Sequence, residues 1–133
     1  MGIYAVPELA SVGLSETQAR EEYGDIIIGR ALFEEIARGL IAGSQNGLLK
    51  LIADGEGKKI LGVQIVGEGA TDLIHVGGMA LLNNGEVNAF CENILNFPTY
   101  SEAYRFAALN DMNQVRMKKK QRKRIRTWSP CDQ

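Results

Sequence analysis

The chain has a single histidine, His75, among its 133 residues. That excludes a multi-histidine metal site and leaves no spare parts for a Ser-His-Asp triad. Cysteine is equally scarce. Cys91 and Cys131 lie far apart in the sequence and form neither a disulfide framework nor a CxxC pair of the redox or zinc type. No apolar run approaches the roughly 20 residues that a bilayer-spanning helix needs, so no membrane partner is expected. The opening MGIYAVPELA has neither the basic end nor the long apolar stretch of a signal peptide, which makes the cytoplasm the expected location.

What is present describes one globular domain with an appendage. Hydrophobic residues make up 45% and charged residues 23%, the balance of a chain that buries a core. Charge is divided unevenly along it. Residues 1–115 carry seven Lys/Arg against fifteen Asp/Glu, whereas residues 116–133 carry eight Lys/Arg against Asp132 alone. An acidic body over residues 1–113 and a basic tail over residues 114–133, expected to be disordered, follow from that split.

Within the body the pattern alternates between turn signals and apolar runs. Pro7 biases Val6 to extended backbone. SETQ, residues 15–18, has the form of a capping box that starts a helix running to about Tyr23, where Gly24 stops it. DIIIGRALF is rich in β-branched residues and reads as a strand. LLKLIAD and ILGVQIV flank a Gly-containing turn, which signals a β-hairpin. From Leu73 to Leu82 the apolar spacing becomes helical, despite a Gly77-Gly78 pair that close backbone packing would explain. EVNAFCENI suggests a short helix and PTYSEAYRFAALNDMN a last one. The expected fold class is α+β, an antiparallel sheet with helices packed on one face.

Several stretches invite a chemical role. VGEGATDLI imitates a dinucleotide-binding turn through Gly67 and Gly69, but Asp72 stands where a third, close-packing glycine is required. It reads as a strand-to-helix turn. His75 reads as a packing or interface residue, and Cys91 beside Phe90 as a small core hydrophobe. The tail MKKKQRKRIR has the counterion-releasing charge of a nucleic-acid binder. It has only Trp128 to stack on a base, and no recognised nucleic-acid fold precedes it, so nucleic acid stands as an alternative partner. NFPTYSEAYRFAALN reads as a helix entry, with Thr99 as N-cap and Glu102 as the acid of a capping box.

Four stretches, PELASVGLSETQA, GLLKLIAD, ILGVQIVGEGATDLIH and FPTYSEAYRFAALN, together resemble the C-terminal dimerisation domain of the pyridine nucleotide–disulfide oxidoreductase family. That family includes dihydrolipoyl dehydrogenase, glutathione reductase and the soluble pyridine nucleotide transhydrogenases. In its disulfide-reducing members the last stretch reads His-Pro-Thr, followed by a Glu three residues after the Thr. The histidine is the thiol's acid/base and the Glu orients it. Here Pro98, Thr99 and Glu102 keep their places, but Phe97 stands at the base position and carries no proton.

The departure resembles the transhydrogenase branch, whose members pass a hydride between NADPH and NAD⁺ through FAD with no thiol to protonate. A dihydrolipoyl dehydrogenase-like parent is the alternative. A stand-alone homodimeric module whose tail binds nucleic acid is a third reading. The resemblance implies an FAD-dependent parent oxidoreductase whose FAD- and NAD(P)-binding domains lie N-terminal to this one. It implies a homodimer in which Phe97, Pro98 and Thr99 approach the partner subunit's FAD, with Glu102 orienting the helix behind them. Neither nucleotide-binding domain occurs in these residues, so no bound cofactor, no metal and no catalytic residue are expected of the chain alone.

Overall fold

The computed structural model describes residues 1–127. Its elements in chain order are β1 (Gly2–Ile3), β2 (Leu9–Gly13), α1 (Glu16–Tyr23) and β3 (Ile26–Leu32). A 3-10 turn (Phe33–Glu35), α2 (Ala37–Ala42), β4 (Leu48–Asp54) and β5 (Ile60–Val66) follow. The chain then forms α3 (Ala70–Leu82), α4 (Val87–Glu92) and α5 (Glu102–Thr127). The strands make one antiparallel sheet in the order β1-β2-β5-β4-β3.

Local chemistry accounts for most of these boundaries. At the start of α1, Ser15 Oγ accepts from the Gln18 amide at 3.3 Å and Gln18 Oε1 accepts from the Ser15 amide at 3.0 Å, which completes the capping box. The helix ends at Gly24. The β4–β5 hairpin closes through Gly57, whose φ of +67° suits glycine, and through Asp54 Oδ1, which accepts from the Lys58 amide at 2.9 Å.

The sheet buries apolar residues on both faces. Leu49, Leu51, Val63 and Ile65 belong to the larger core under α3 and α5. Ile26, Ile28, Ile52 and Leu61 form a second, smaller cluster with Ala19 of α1. The long helices therefore share one face, as the α+β reading requires, while α1 adds a cover on the other. The sequence carries the reason. IIIG and LLKLIAD are near-continuous apolar runs, and such runs mark strands buried on two sides.

Two glycines allow the helices to lie close. A Cβ at Gly29 of β3 would collide with the Ala107 carbonyl of α5, so only glycine lets that helix rest on the strand. A Cβ at Gly77 would come 2.9 Å from Val63 Cγ2 and 3.0 Å from the Tyr104 hydroxyl. That hydroxyl joins α5 to α3. It donates to Leu73 O at 2.8 Å and accepts from the Gly77 amide at 3.0 Å, with the ring fully buried and packed 4.8 Å from Phe90. Burial pushes its phenol pKa well above the ordinary value.

The helix α5 does not stop near Asn113. It continues to Thr127, so residues 114–127 are helical where a disordered tail was expected. The reason is twofold. From Gln114 to Arg126 there is no glycine or proline, and Met, Lys, Gln and Arg are good helix formers. The helix is also fastened to the body from Asn110 onward. Gln114 Nε2 donates to Ile28 O at 2.6 Å, Asn110 Oδ1 accepts from the Arg30 amide at 3.1 Å, and Lys118 pairs with Asp25 at 2.9 Å. The first two occupy backbone groups that the edge strand β3 would otherwise leave unpaired. Trp128, Cys131 and the rest of residues 128–133 lie outside the described residues.

One group in this interface is poorly satisfied. Asp111 is fully buried on α5 beneath the hairpin turn, and neither carboxylate oxygen has a hydrogen-bond partner. Burial, reinforced by the nearby Asp54 charge and opposed by Lys118, pushes it up to about 7.

Two stability measurements test this packing. Replacing Tyr104 by Phe removes both hydroxyl bonds from a dry site, and chemical denaturation should show a loss of about 1–2 kcal/mol. Asp111 binds its proton more tightly folded than unfolded. Its contribution to stability is fully present below about pH 4 and is lost as pH rises through about 7. Asp111→Asn should therefore stabilise the protein at pH 8 by on the order of 1–3 kcal/mol, with the advantage shrinking toward pH 4.

Candidate functional site

The segment between α4 and α5 holds the residues that the sequence singles out. Phe97 is 75% exposed and is followed by a cis bond to Pro98. Thr99 Oγ1 donates to Asn96 O at 2.7 Å, which closes the loop on itself. The expected Thr99–Glu102 capping box does not form. The Glu102 amide bonds instead to the Thr99 carbonyl at 3.4 Å, and the first regular residue of α5 is Glu102 itself. Glu102 Oε2 is buried without a hydrogen-bond partner.

Three residues that sequence reading passed over hold this loop in place. Arg38 of α2 donates through Nε to Pro98 O at 3.2 Å. The Tyr100 ring stacks on buried Phe33 at 4.8 Å, and its hydroxyl donates to Glu68 Oε2 at 3.3 Å. Burial, with the Glu68 carboxylate adding to it, pushes the Tyr100 phenol up. Arg38 and Glu68 come from different connections, the β3–β4 crossover and the β5–α3 turn. No local pattern in the sequence joins them. Tyr100 was inside the quoted segment, but its spacing marked it only as one aromatic among several.

The remaining candidates separate from the loop by role. At the β5–α3 turn, Gly67 packs against the Phe33 ring and Gly69 adopts a φ of +72° before the helix starts. The place a phosphate would take is filled from within the chain. Glu8 Oε2 accepts from the Thr71 amide at 3.0 Å and from the Thr71 hydroxyl at 2.7 Å, and these bonds hold its pKa below the ordinary value. Asp72 lies in the first turn of α3, exposed. His75 is exposed on the outer side of that helix. Cys91 is half-buried at the edge of the core, with its thiol 3.5 Å from Met112 Sδ, and burial pushes the thiol pKa up. Among the described residues no group of three or more His, Cys, Asp or Glu could hold a metal ion, and no helix is long and apolar enough to cross a membrane.

Apolar side chains are exposed on several elements around the loop. They include Leu40 and Ile41 of α2, Ile94 beside the loop, and Phe106 and Leu109 of α5. On the second sheet face, beside α1, a largely apolar depression of about 350 Å³ is lined by Ile3, Leu9, Leu48, Val66 and the stem of Lys50. A sheet domain of this kind presents contact surfaces and a pinned aromatic loop, and the exposed side chain at position 97 of that loop has no proton to transfer.

Comparison with known proteins agrees with that class. The model of the family "Pyridine nucleotide-disulphide oxidoreductase, dimerisation domain" matches residues 1–108, and the chain belongs to this family. It is 40% identical over 116 residues to a soluble pyridine nucleotide transhydrogenase of Mycobacterium tuberculosis, covering 87% of this chain and 25% of that protein. A transhydrogenase of Vibrio atlanticus is likewise 40% identical over 117 residues, with 86% and 25% covered. The chain thus spans about a quarter of the length of these relatives. The fold also matches the HOCl-induced flavoprotein disulfide reductase RclA of Escherichia coli, with a TM-score of 0.76, 24% identity, and 82% of this chain and 25% of that one covered. LpdA of Mycobacterium tuberculosis matches with a TM-score of 0.75 and 20% identity, covering 82% and 24%.

Proposed function

We propose that this chain serves as the dimerisation domain of an FAD-dependent, transhydrogenase-type flavoprotein of the cytoplasm, which passes a hydride between NADPH and NAD⁺. The observation that carries the reading is the loop. Its backbone is fixed by Arg38, Thr99 and Tyr100, yet the side chain it displays is Phe97, which has no proton to give. Hydride transfer between nicotinamides requires no thiol acid/base, whereas disulfide reduction does. A dihydrolipoyl dehydrogenase-like parent is disfavoured on that ground.

In this reading two copies pack about a two-fold axis through their exposed apolar side chains. Each loop then faces the partner subunit's flavin. Phe97, Pro98 and Thr99 line one side of that site and exclude water, and the FAD held by the other domains supplies the hydride-carrying chemistry. An exposed aromatic between uncharged residues fits contact with a planar, apolar ring edge. The residues of this chain position and shield, and none of them takes part in the chemical step.

The purified chain should self-associate. Sedimentation velocity should show a dimer whose population grows with concentration, and a lone monomer at high micromolar concentration would contradict the interface. The activity is tested separately with a chimera in which residues 1–113 replace the corresponding domain of a transhydrogenase relative. A dimeric, FAD-loaded chimera should transfer hydride from NADPH to NAD⁺ within about tenfold of that relative. A dimer that binds FAD but transfers no hydride would overturn the transhydrogenase assignment and leave the dimerisation role intact.

A further inference from the structure

A second feature lies on the opposite end of α5 from the Phe97 loop and plays no part in the proposed function. Val115, Lys118, Lys119 and Arg122 recur at the spacing of one helical face, and that face looks across a cleft at the β4–β5 turn. The cleft has a volume of about 200 Å³ and is lined by Gly55, Glu56 and Lys58 on the turn side. Val115 forms its floor. A Cβ at Gly57 would fall on Val115 Cγ2, so glycine allows the turn to seat against the helix there.

Four cations from two elements converge on this space, against one carboxylate in its lining. Glu56 pairs with Lys58 at 3.5 Å, but both side chains are mostly exposed and such a pair is weak. Asp25, from outside the lining, pairs with Lys118 at 2.9 Å, and Arg122 adds to the field that lowers the Asp25 pKa. Lys118 and Arg122 are like charges one turn apart, an arrangement that repels. Lys58 is the decisive residue. The rest of the charge belongs to a helix that is basic on several faces, whereas Lys58 comes from the hairpin and lines the cleft from the opposite side.

We infer that this cleft is a binding site for a phosphoryl dianion, held by Lys58, Lys118, Lys119 and Arg122. Lysine and arginine serve different parts of the task. The ammonium groups act as point charges, while the Arg122 guanidinium offers paired N–H donors to two phosphoryl oxygens. A dianion offsets the mutual repulsion of the four cations, which surface carboxylates leave only partly neutralised. The ligand class is a compound bearing a terminal phosphate, and inorganic phosphate is its minimal probe.

The experiment is an amide NMR titration of the whole chain with inorganic phosphate at about pH 8, with ionic strength held constant by chloride. Phosphate should produce saturable shifts confined to Gly55, Glu56, Lys58, Val115 and Lys119. The double variant Lys119→Ala/Arg122→Ala should weaken the apparent Kd by about tenfold or more. Lys120→Ala/Arg124→Ala removes the same charge from the same helix outside the cleft and should change it by less than about twofold. Shifts that never saturate, or equal weakening by the two variants, would show only diffuse attraction to a basic helix and would overturn the site.

Discussion

The Tyr104 hydroxyl sets the relation between the two long helices. It meets Leu73 O and the Gly77 amide, the acceptor and donor of one i, i+4 rung of α3, in a buried site. Both bonds must be made at once, so α5 has little freedom to slide or rotate against α3. The bare backbone at Gly77 lets the ring enter, and the bare backbone at Gly29 lets the same helix rest on the sheet three residues farther on, at Ala107. Loop, edge strand and cationic cleft all take their positions from this one helix.

That dependence explains why α5 can do three unrelated things along its length. Its N-terminal end receives the Phe97 loop. Its middle lays Asn110 and Gln114 on the exposed backbone of β3. Its next turns carry Val115 and Lys118 to the hairpin and to Asp25. Asp111 sits among these contacts with no donor facing it. A buried carboxylate in such a place costs stability once ionised, and the surrounding contacts must offset that cost.

Legibility in the sequence followed the range of the interaction. The capping box at Ser15, the β4–β5 hairpin and the apolar run of α3 depend on neighbours a few residues away, and each was readable. The cover that α1 places on the second sheet face was implied by the continuous runs around Ile27 and Ile52, but the alternation rule alone pointed to one face. The helical course of residues 114–127 is not legible from charge, because a lysine-rich run reads as a solvated tail although nothing in it breaks a helix and its anchors, Ile28 and Asp25, are distant in the chain. The loop's supports were hidden for the same reason. Arg38 and Glu68 come within reach of Pro98 and Tyr100 only after the sheet has formed. At Thr99 the expected side-chain cap is replaced by a backbone contact, with the hydroxyl donating to Asn96 O and the Glu102 amide bonding to the Thr99 carbonyl.

The same contacts clarify what a loop without its base can still be. The side-chain contacts that fix the segment use backbone atoms of Pro98 or Asn96, the Thr99 hydroxyl, or the Tyr100 side chain. Phe97 is three-quarters exposed and supplies none of the hydrogen bonds. The shape of the loop is therefore independent of the residue it displays at that position. A histidine and a phenylalanine can occupy one scaffold, with the chemistry decided by the side chain and the placement decided by its neighbours. Behind the segment, at the first turn of α5, Glu102 Oε2 is buried without a hydrogen-bond partner. Separation of support from display lets the segment keep its geometry whichever residue stands at position 97.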